Sequence, residues 1–351
     1  MTKVLIVRLG ALGDIVHAIP VAAALRRAHP AVRIDWLVSA KHREILDLVP
    51  VIDRKLVVND RPGAAGGTSG TSLFGAIREL RRNRYDVALD LQGLIKSAVI
   101  ARSSGADRVV GFSSRYLREP LARLFYTDVH DPGGAGIYAS SETRHVVEIN
   151  LGILNPLGIQ PGRPEFPIER VSSAAARQMA DATGGRYALL NPGAAWPNKR
   201  WPPARLASVA IRLRERRGLA SVVLWGPGER ALADEVIAQA GGAAILSPQT
   251  TIGDVVELAR GAAVMVSGDT GPTHLAAAVG TPIVGLYGPT RPERNGPWLA
   301  DDVTLSRASI CKCHHLRRCT QDVMCLLDIQ TSEVADAVER RLDAAERDPR
   351  V

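Results

Sequence analysis

Aromatic residues are scarce in this 351-residue chain, where Phe, Trp and Tyr together make up 4%. The formal net charge is +8, but the basic residues are dispersed along the chain rather than clustered. Nucleic-acid-binding proteins combine basic patches with aromatic rings that stack on bases, so we do not expect a nucleic-acid partner. The hydrophobic fraction of 46% and the charged fraction of 23% exclude a disordered or fibrous chain.

Long apolar runs are also lacking. No stretch approaches the roughly 18 uncharged apolar residues that a membrane-spanning helix needs. The first residues resemble a secretory signal, but Arg8, Asp14 and His17 interrupt their apolar run. We therefore expect a cytoplasmic protein that is not integral to a membrane, although it could rest on one.

Cysteine is confined to one short segment that contains Cys311, Cys313, Cys319 and Cys325. No disulfide can therefore join distant parts of the fold, which favours a reducing compartment. The spacing C-x-C-x5-C-x5-C would allow four thiolates to bind a structural zinc ion. The alternative is a segment of reduced, partly buried cysteines. A catalytic cysteine is not expected, because the segment is far in sequence from the loops considered next.

A chain of this length predicts two domains. Short runs rich in Val, Ile and Leu alternate with helical patterns such as 15–28 and 203–218. Such runs predict strands covered on both faces, as in the parallel sheets of α/β proteins. The predicted strands are 4–7, 34–38, 86–91, 187–192, 221–226, 263–269 and 282–288.

A segment rich in Pro and Gly, at about 155–175, predicts a linker between two Rossmann-like domains. The domains would span 1–165 and 175–330, and a charged amphipathic helix would follow in 331–351. The glycine-rich segment 59–75 is expected to be a surface loop. In such sheets ligands bind beyond the carboxyl ends of the strands, so the loops at these ends are the candidates for function.

The loop LGALGD, residues 9–14, follows the first strand and carries Asp14 at the start of a helix. Asp14 could cap this helix or could act as a general base kept ionised by the helix start. The loop does not match the dinucleotide signature, and the chain has no P-loop signature.

Two further loops carry lysine. The segment 90–98 places Asp90, Gln92 and Lys96 near one strand end, unless it is simply a solvated polar loop. Lys199 precedes a helix and could reach a phosphate near its start, or could belong to a charged surface turn.

The most specific loop follows the strand that ends at Asp269. Thr270 and Gly271 would form a turn that opens a helix containing His274. Free amides and the helix dipole make such a helix start an anion site, while Asp269 could accept hydrogen bonds from sugar hydroxyls. The C-terminal half is therefore predicted to hold a diphosphate-linked ligand. The chain contains no Asp-x-Asp pair, which argues against a nucleotide held through a carboxylate-bound metal ion.

Segments along nearly the whole chain resemble the ADP-heptose:lipopolysaccharide heptosyltransferases, glycosyltransferase family 9, and two of them look most like heptosyltransferase I. These two segments are DLQGLIKSA and REPLARLFY. The other matching segments are KVLIVRLGALGDIVHAIP, KRWP, LWGPGE, GDTGPTHLAAAVGTP and YGPT.

The resemblance implies a GT-B fold, with two Rossmann-like domains whose parallel sheets face a central cleft. It implies inverting transfer of L-glycero-D-manno-heptose from ADP-heptose to the Kdo of the lipopolysaccharide inner core, without a cofactor or divalent metal. The acceptor would be a Kdo-lipid A molecule at the cytoplasmic face of the inner membrane. The alternative is another GT-B enzyme, either similar to heptosyltransferase II or a transferase or epimerase that uses a different nucleotide sugar.

The resemblance also implies roles for individual residues. Asp14 matches the proposed general base, and the acceptor would be bound by Lys96, Arg118 and Arg61. The residues expected to bind the donor are Lys199, Glu229, Asp269, Thr270, Gly271 and His274. Ala194 and Ala195 depart from the pattern, because heptosyltransferase I carries hydroxyl residues there. Residues 1–170 carry a net charge of +6 against +2 for the remainder, which fits an acidic glycolipid acceptor.

Overall fold

The computed structural model describes residues 1–59, 73–314 and 316–347. The chain divides into two compact units, Met1–Glu169 and Arg170–Val351. The division falls inside the segment rich in Pro and Gly. Arg61 and most of the glycine-rich segment around it lie outside the described residues.

The first unit contains a six-stranded parallel sheet. Its strands are β1 (Lys3–Val7), β2 (Arg33–Ser39), β3 (Arg54–Val58), β4 (Val87–Asp90), β5 (Arg108–Phe112) and β6 (Asp128–His130). Its α-helices are α1 (Leu12–Val16), α2 (Ile19–Ala28), α3 (Leu73–Asn83), α4 (Ile95–Ser103) and α5 (Val146–Leu151). Short 3-10 helices span Ala40–Leu48, Ser114–Tyr116, Pro120–Phe125 and Gly152–Leu157.

The second unit contains another six-stranded parallel sheet. Its strands are β7 (Tyr187–Asn191), β8 (Ala220–Val223), β9 (Ala244–Leu246), β10 (Ala262–Gly268), β11 (Ile283–Tyr287) and β12 (Val303–Ser306). Its α-helices are α6 (Ala174–Thr183), α7 (Pro203–Arg217), α8 (Arg230–Gln239), α9 (Ile252–Gly261), α10 (Gly271–Ala278), α11 (Pro292–Asn295) and α12 (Thr331–Arg347). Short 3-10 helices span Pro197–Lys199, Ala308–Ile310 and Cys325–Asp328.

The two sheets have the same topology. The strand order is β3-β2-β1-β4-β5-β6 in the first and β9-β8-β7-β10-β11-β12 in the second. This is the order of a Rossmann fold, in which the chain reverses direction across the sheet between the first and fourth strands. The predicted α/β class with two parallel sheets is confirmed. The topology also places the loops after β1 and β4 side by side, and likewise the loops after β7 and β10.

The predicted strands are buried as their composition requires. The four apolar residues of β1 from Val4 to Val7 are fully buried, as is nearly all of β7. Each such Val, Leu or Ile contributes about 1.5–3 kcal/mol when it leaves water. Helix α7 covers the second sheet with one face and ends where Gly218 adopts a left-handed conformation with φ of 61°.

The helical pattern predicted over 15–28 is interrupted in the structure. The chain forms α1 and then α2, with a break at His17 and Ala18. Pro20 lies at the second position of α2, where its missing N–H costs no hydrogen bond. The break allows α1 to be a short element that positions Asp14.

The described helices include none that is both long and apolar enough to cross a membrane.

Candidate active site

Asp14 lies just beyond the carboxyl end of β1 and is the third residue of α1. Its carboxylate accepts a hydrogen bond from the Ala11 N–H at 3.1 Å. The Arg8 guanidinium contacts the other carboxylate oxygen at 2.9 Å. Ala11, not Asp14, occupies the cap position, so the simple cap interpretation of Asp14 is wrong. The carboxylate is partly exposed, whereas Arg8 is buried, so a fixed cation holds a solvent-accessible anion.

The loop that carries Asp14 is held by a side chain from the neighbouring strand end. The Gln92 Oε1 atom accepts hydrogen bonds from the Leu9 N–H at 3.0 Å and from the Gly10 N–H at 3.4 Å. Arg8 also donates to the backbone carbonyl of Leu91. The loop after β4 therefore fixes the loop after β1.

Asp90 anchors this arrangement from below. Its buried carboxylate accepts hydrogen bonds from the Tyr126 hydroxyl at 2.8 Å, from the Gln92 N–H at 2.9 Å and from the Ser97 hydroxyl at 2.9 Å. Burial raises the pKa of Asp90, and these hydrogen bonds only partly offset the effect. A solvated polar loop is therefore the wrong interpretation of 90–98, because Asp90 and Gln92 are both buried.

The predicted acceptor residues Lys96 and Arg118 are exposed on neighbouring segments of the first unit. The Glu119 N–H donates to the Gly93 carbonyl at 3.3 Å, and the Glu119 carboxylate accepts from the Ile95 N–H at 2.7 Å. The start of α4 and the segment around Arg118 are thus joined. Their role in acceptor binding stays a prediction.

The second unit brings three predicted donor residues into one ion cluster. Lys199 Nζ lies 2.5 Å from Asp269 Oδ2, and His274 Nε2 lies 3.0 Å from Asp269 Oδ1. Burial alone would raise the pKa of Asp269, but the His274 hydrogen bond and the Lys199 charge outweigh it and hold this pKa well below its ordinary value. Asp269 is therefore ionised at neutral pH.

Lys199 does not belong to a charged surface turn. Its side chain is 14% exposed, that of Asp269 is 5% exposed, and its ammonium lies 4.4 Å from the centre of the Trp196 ring. Its backbone is equally constrained, since a Cβ added to Gly268 would lie 2.8 Å from the Lys199 carbonyl oxygen. Glycine at the end of β10 therefore permits the loop after β7 to approach.

Hydroxyl and amide groups order the first turn of α10. The Asn191 side-chain amide donates to the Ser267 and Thr270 hydroxyls, each at 3.0 Å. The Thr273 hydroxyl donates to the Gly268 carbonyl at 2.6 Å and lies 2.9 Å from the Thr270 hydroxyl. The helix start is thereby preformed, and its amides and dipole favour an anion such as a diphosphate.

Glu229 joins the same edge of the second sheet. It precedes α8, and its carboxylate accepts a hydrogen bond from the Gly226 N–H at 3.2 Å. A Cβ added to Gly193 would lie 2.1 Å from a Glu229 carboxylate oxygen, so Glu229 contacts the loop after β7. Since β8, β7 and β10 are consecutive in the sheet, the predicted donor residues share one strand-end surface.

The sequence analysis did not identify several residues that build these sites. They are Arg8, Asn191, Trp196, Ser267 and Thr273. The spacing within each loop gives no sign of them, because most of their contacts depend on strand order. The adjacency of β7 and β10 in a Rossmann topology is the one signal that could have indicated Asn191 and Ser267.

The cysteine segment is close to the donor residues despite its distance in sequence. The Leu316 carbonyl accepts a hydrogen bond from the Asn198 side chain at 3.0 Å, next to Lys199. Cys313 Sγ and Cys319 Sγ are 3.3 Å apart, and all four cysteines are free thiols. Across the described part of the chain, no group of three or more His, Cys, Asp or Glu side chains is arranged to hold a metal ion. A structural zinc ion here stays a prediction that metal analysis can test.

Comparison with known proteins identifies the family. Residues 74–324 match the model described as glycosyltransferase family 9 (heptosyltransferase). The chain belongs to glycosyltransferase family 9. It is 32% identical over 329 residues to lipopolysaccharide heptosyltransferase 1 of Pseudomonas aeruginosa, an alignment that covers 91% of this chain and 87% of that protein.

Two solved structures share the fold of the family 9 chain. A family 9 glycosyl transferase from Veillonella parvula has a TM-score of 0.80 and 24% identity, with 98% of each chain covered. An E. coli heptosyltransferase solved with ADP has a TM-score of 0.72 and 22% identity, with 99% of this chain and 100% of that chain covered. The predicted family resemblance, GT-B fold and glycosyltransferase class are confirmed, while the residue roles stay predictions.

Proposed function

We propose that this glycosyltransferase transfers L-glycero-D-manno-heptose from ADP-heptose to the Kdo of the lipopolysaccharide inner core, with inversion at the sugar carbon. The observation that carries the proposal is the cluster of Lys199, Asp269 and His274 beside the preformed start of α10. It offers a fixed cation and an anion site to a diphosphate, and a fixed carboxylate to a sugar. The relatives named above supply the heptose and the lipopolysaccharide.

The second unit would bind the donor. Lys199 and the amides at Thr270 and Gly271 would stabilise the negative charge that develops on the diphosphate as its bond to the heptose C1 breaks. This positive charge belongs to the protein, so we propose that no divalent metal takes part. The carboxylate of Asp269 would accept a hydrogen bond from a heptose hydroxyl, and Glu229 would bind the hydroxyls of the nucleotide ribose.

The first unit would supply the base. Asp14 would remove the proton from the acceptor hydroxyl, whose oxygen forms the new bond to C1 on the face opposite the leaving ADP. Attack from that face inverts the configuration. Arg8 and the Ala11 N–H would keep Asp14 ionised and oriented until the proton arrives. The proton on Asp14 then returns to water, and ADP carries away the electron pair of the broken bond.

The acceptor would be a Kdo-lipid A molecule at the cytoplasmic face of the inner membrane, where the enzyme would act as a peripheral protein. Lys96 and Arg118 are exposed cations near the strand ends of the first unit, and Arg61 would join them. Their charges suit the carboxylates and phosphates of such an acceptor. The excess positive charge of the N-terminal half supports the same assignment.

Two assays test the proposal. A thermal-shift panel of nucleotide sugars should show selective stabilisation by ADP-heptose. Preference for a uridine nucleotide sugar would instead favour another GT-B transferase or an epimerase. Turnover of ADP-heptose should then occur with Kdo-lipid A and not with heptosyl-Kdo-lipid A. The reverse preference would assign the activity of a heptosyltransferase II.

A further inference from the structure

The 3-10 helix Pro120–Phe125 presents two leucines to solvent. Leu121 is 64% exposed and Leu124 is 74% exposed. A 3-10 helix has about three residues per turn, so side chains three apart lie on one face. Ala122, on another face, is fully buried and anchors the helix to the first unit. The two leucines therefore form an apolar face that packing within the first unit does not cover.

A third exposed apolar side chain, Ile95, lies at the start of α4 beside this helix. The Glu119 carboxylate accepts a hydrogen bond from the Ile95 N–H at 2.7 Å, and Pro120 follows Glu119 directly. Ile95, Leu121 and Leu124 thus lie on two joined segments, and we call them the apolar patch. Exposed apolar side chains on joined segments indicate a binding surface more strongly than scattered single residues do.

Cations surround the apolar patch. Lys96 follows Ile95, while Arg118 and Arg123 flank the 3-10 helix, and all three are exposed. Within residues 1–59, 73–314 and 316–347, neither arginine has an ion-pair partner. Exposed apolar side chains rimmed by unpaired cations are the chemistry that recognises an anionic lipid surface, where the apolar groups enter the acyl boundary and the cations meet the headgroups.

The position of the patch agrees with a lipid-anchored substrate. The Glu119 N–H donates to the Gly93 carbonyl just beyond the end of β4, the strand that neighbours β1. Because the strands are parallel, this is the edge of the sheet at which Asp14 lies. We propose that the apolar patch, with Lys96, Arg118 and Arg123, docks onto an anionic phospholipid bilayer. This rests on the proposed function for its purpose, which is to bring the base to an acceptor held in the membrane.

Vesicle binding tests the inference without any enzymatic step. The purified full chain is sedimented with vesicles of phosphatidylethanolamine and phosphatidylglycerol, and separately with vesicles of phosphatidylcholine alone. The tested variants are Leu121→Ser with Leu124→Ser, and Arg123→Gln. The matched control is Val323→Ser, since Val323 is 69% exposed in the second unit. Thermal melting verifies that each variant is folded.

We expect the native chain to bind the anionic vesicles in a salt-dependent manner and to bind the neutral ones more weakly. Each leucine replaced by serine should weaken binding about tenfold, Arg123→Gln should weaken it several-fold, and the control should bind normally. Equal binding by the double leucine variant, equal loss in the control, or no vesicle binding by the native chain would overturn the inference.

Activity separates this inference from the proposed function. With a water-soluble, deacylated Kdo acceptor, the double leucine variant should turn over at the native rate, whereas with vesicle-embedded Kdo-lipid A it should be slower. Native vesicle binding without any heptose transfer would contradict the proposed function alone. Native transfer without vesicle binding would contradict the docking surface alone and favour a protein partner at the patch.

Discussion

Replacing Lys199 by methionine tests whether the buried ion cluster is both a structural and a donor-binding element. The change keeps most of the side-chain length and removes the charge 2.5 Å from Asp269. Removing one partner of a buried pair costs about 3–5 kcal/mol, because it leaves the other charge uncompensated. His274 still donates to the remaining carboxylate oxygen, so we expect the lower end, about 3 kcal/mol.

The experiment is a double-mutant cycle of Lys199→Met, Asp269→Asn and the double variant, with free energies of unfolding from urea titrations. Tryptophan fluorescence reports mainly on the second unit, which contains Trp196, Trp201, Trp225 and Trp298. We expect a coupling energy of about 2 kcal/mol between the two positions. Lys41→Met, at an exposed lysine of the first unit, should change the free energy by less than about 0.5 kcal/mol.

The coupling should depend on pH in a defined direction. The pKa of Asp269 is lowered in the folded state, so its contribution to stability is present above its ordinary pKa of 3.8 and is lost as the pH falls below that value. The stability difference between the native chain and Lys199→Met should therefore be complete at pH 7 and shrink below about pH 4. A coupling energy below about 0.5 kcal/mol at pH 7 would refute this description of the cluster.

Two further substitutions separate positioning of the base from binding of the donor. Gln92→Leu removes the acceptor for the Leu9 and Gly10 N–H groups, so kcat should fall about tenfold with an unchanged KM for ADP-heptose. A raised KM would contradict this role. Gly268→Ala places a methyl group 2.8 Å from the Lys199 carbonyl oxygen, so the KM for ADP-heptose should rise about tenfold. An unchanged KM would show that the loop after β7 can move without cost.

Composition and periodicity were sufficient to predict the central strands. All seven predicted runs contain a strand, because central parallel strands are buried on both faces and consist almost entirely of apolar residues. The strands that were not predicted include β3, β6, β9 and β12, which lie at or near the sheet edges. Such strands are short or partly polar, since one side meets solvent. The sequence of β3, RKLVV, shows this mixed character.

The candidate sites were predicted residue by residue, but their contacts were not. The positions of Asp14, Lys199 and Asp269 follow from loops at strand ends. Their partners follow from strand order, which places β1 beside β4 and β7 beside β10. Lys199 and Asp269 are 70 residues apart, and no local pattern predicts that they form an ion pair. The same reason explains why Gln92 was not recognised as a support for the loop that carries Asp14.

The most direct test of the proposed reaction is turnover by Asp14→Asn with ADP-heptose and Kdo-lipid A, followed by ADP release and by mass spectrometry of the product. Asp47→Asn is the matched control, because Asp47 is another partly exposed carboxylate of the first unit and pairs with Lys55. We predict that kcat falls by about 10²–10⁴ in Asp14→Asn while the affinity for ADP and the control are unchanged. Heptose transfer by Asp14→Asn at a near-native rate would contradict the assignment of Asp14 as the base.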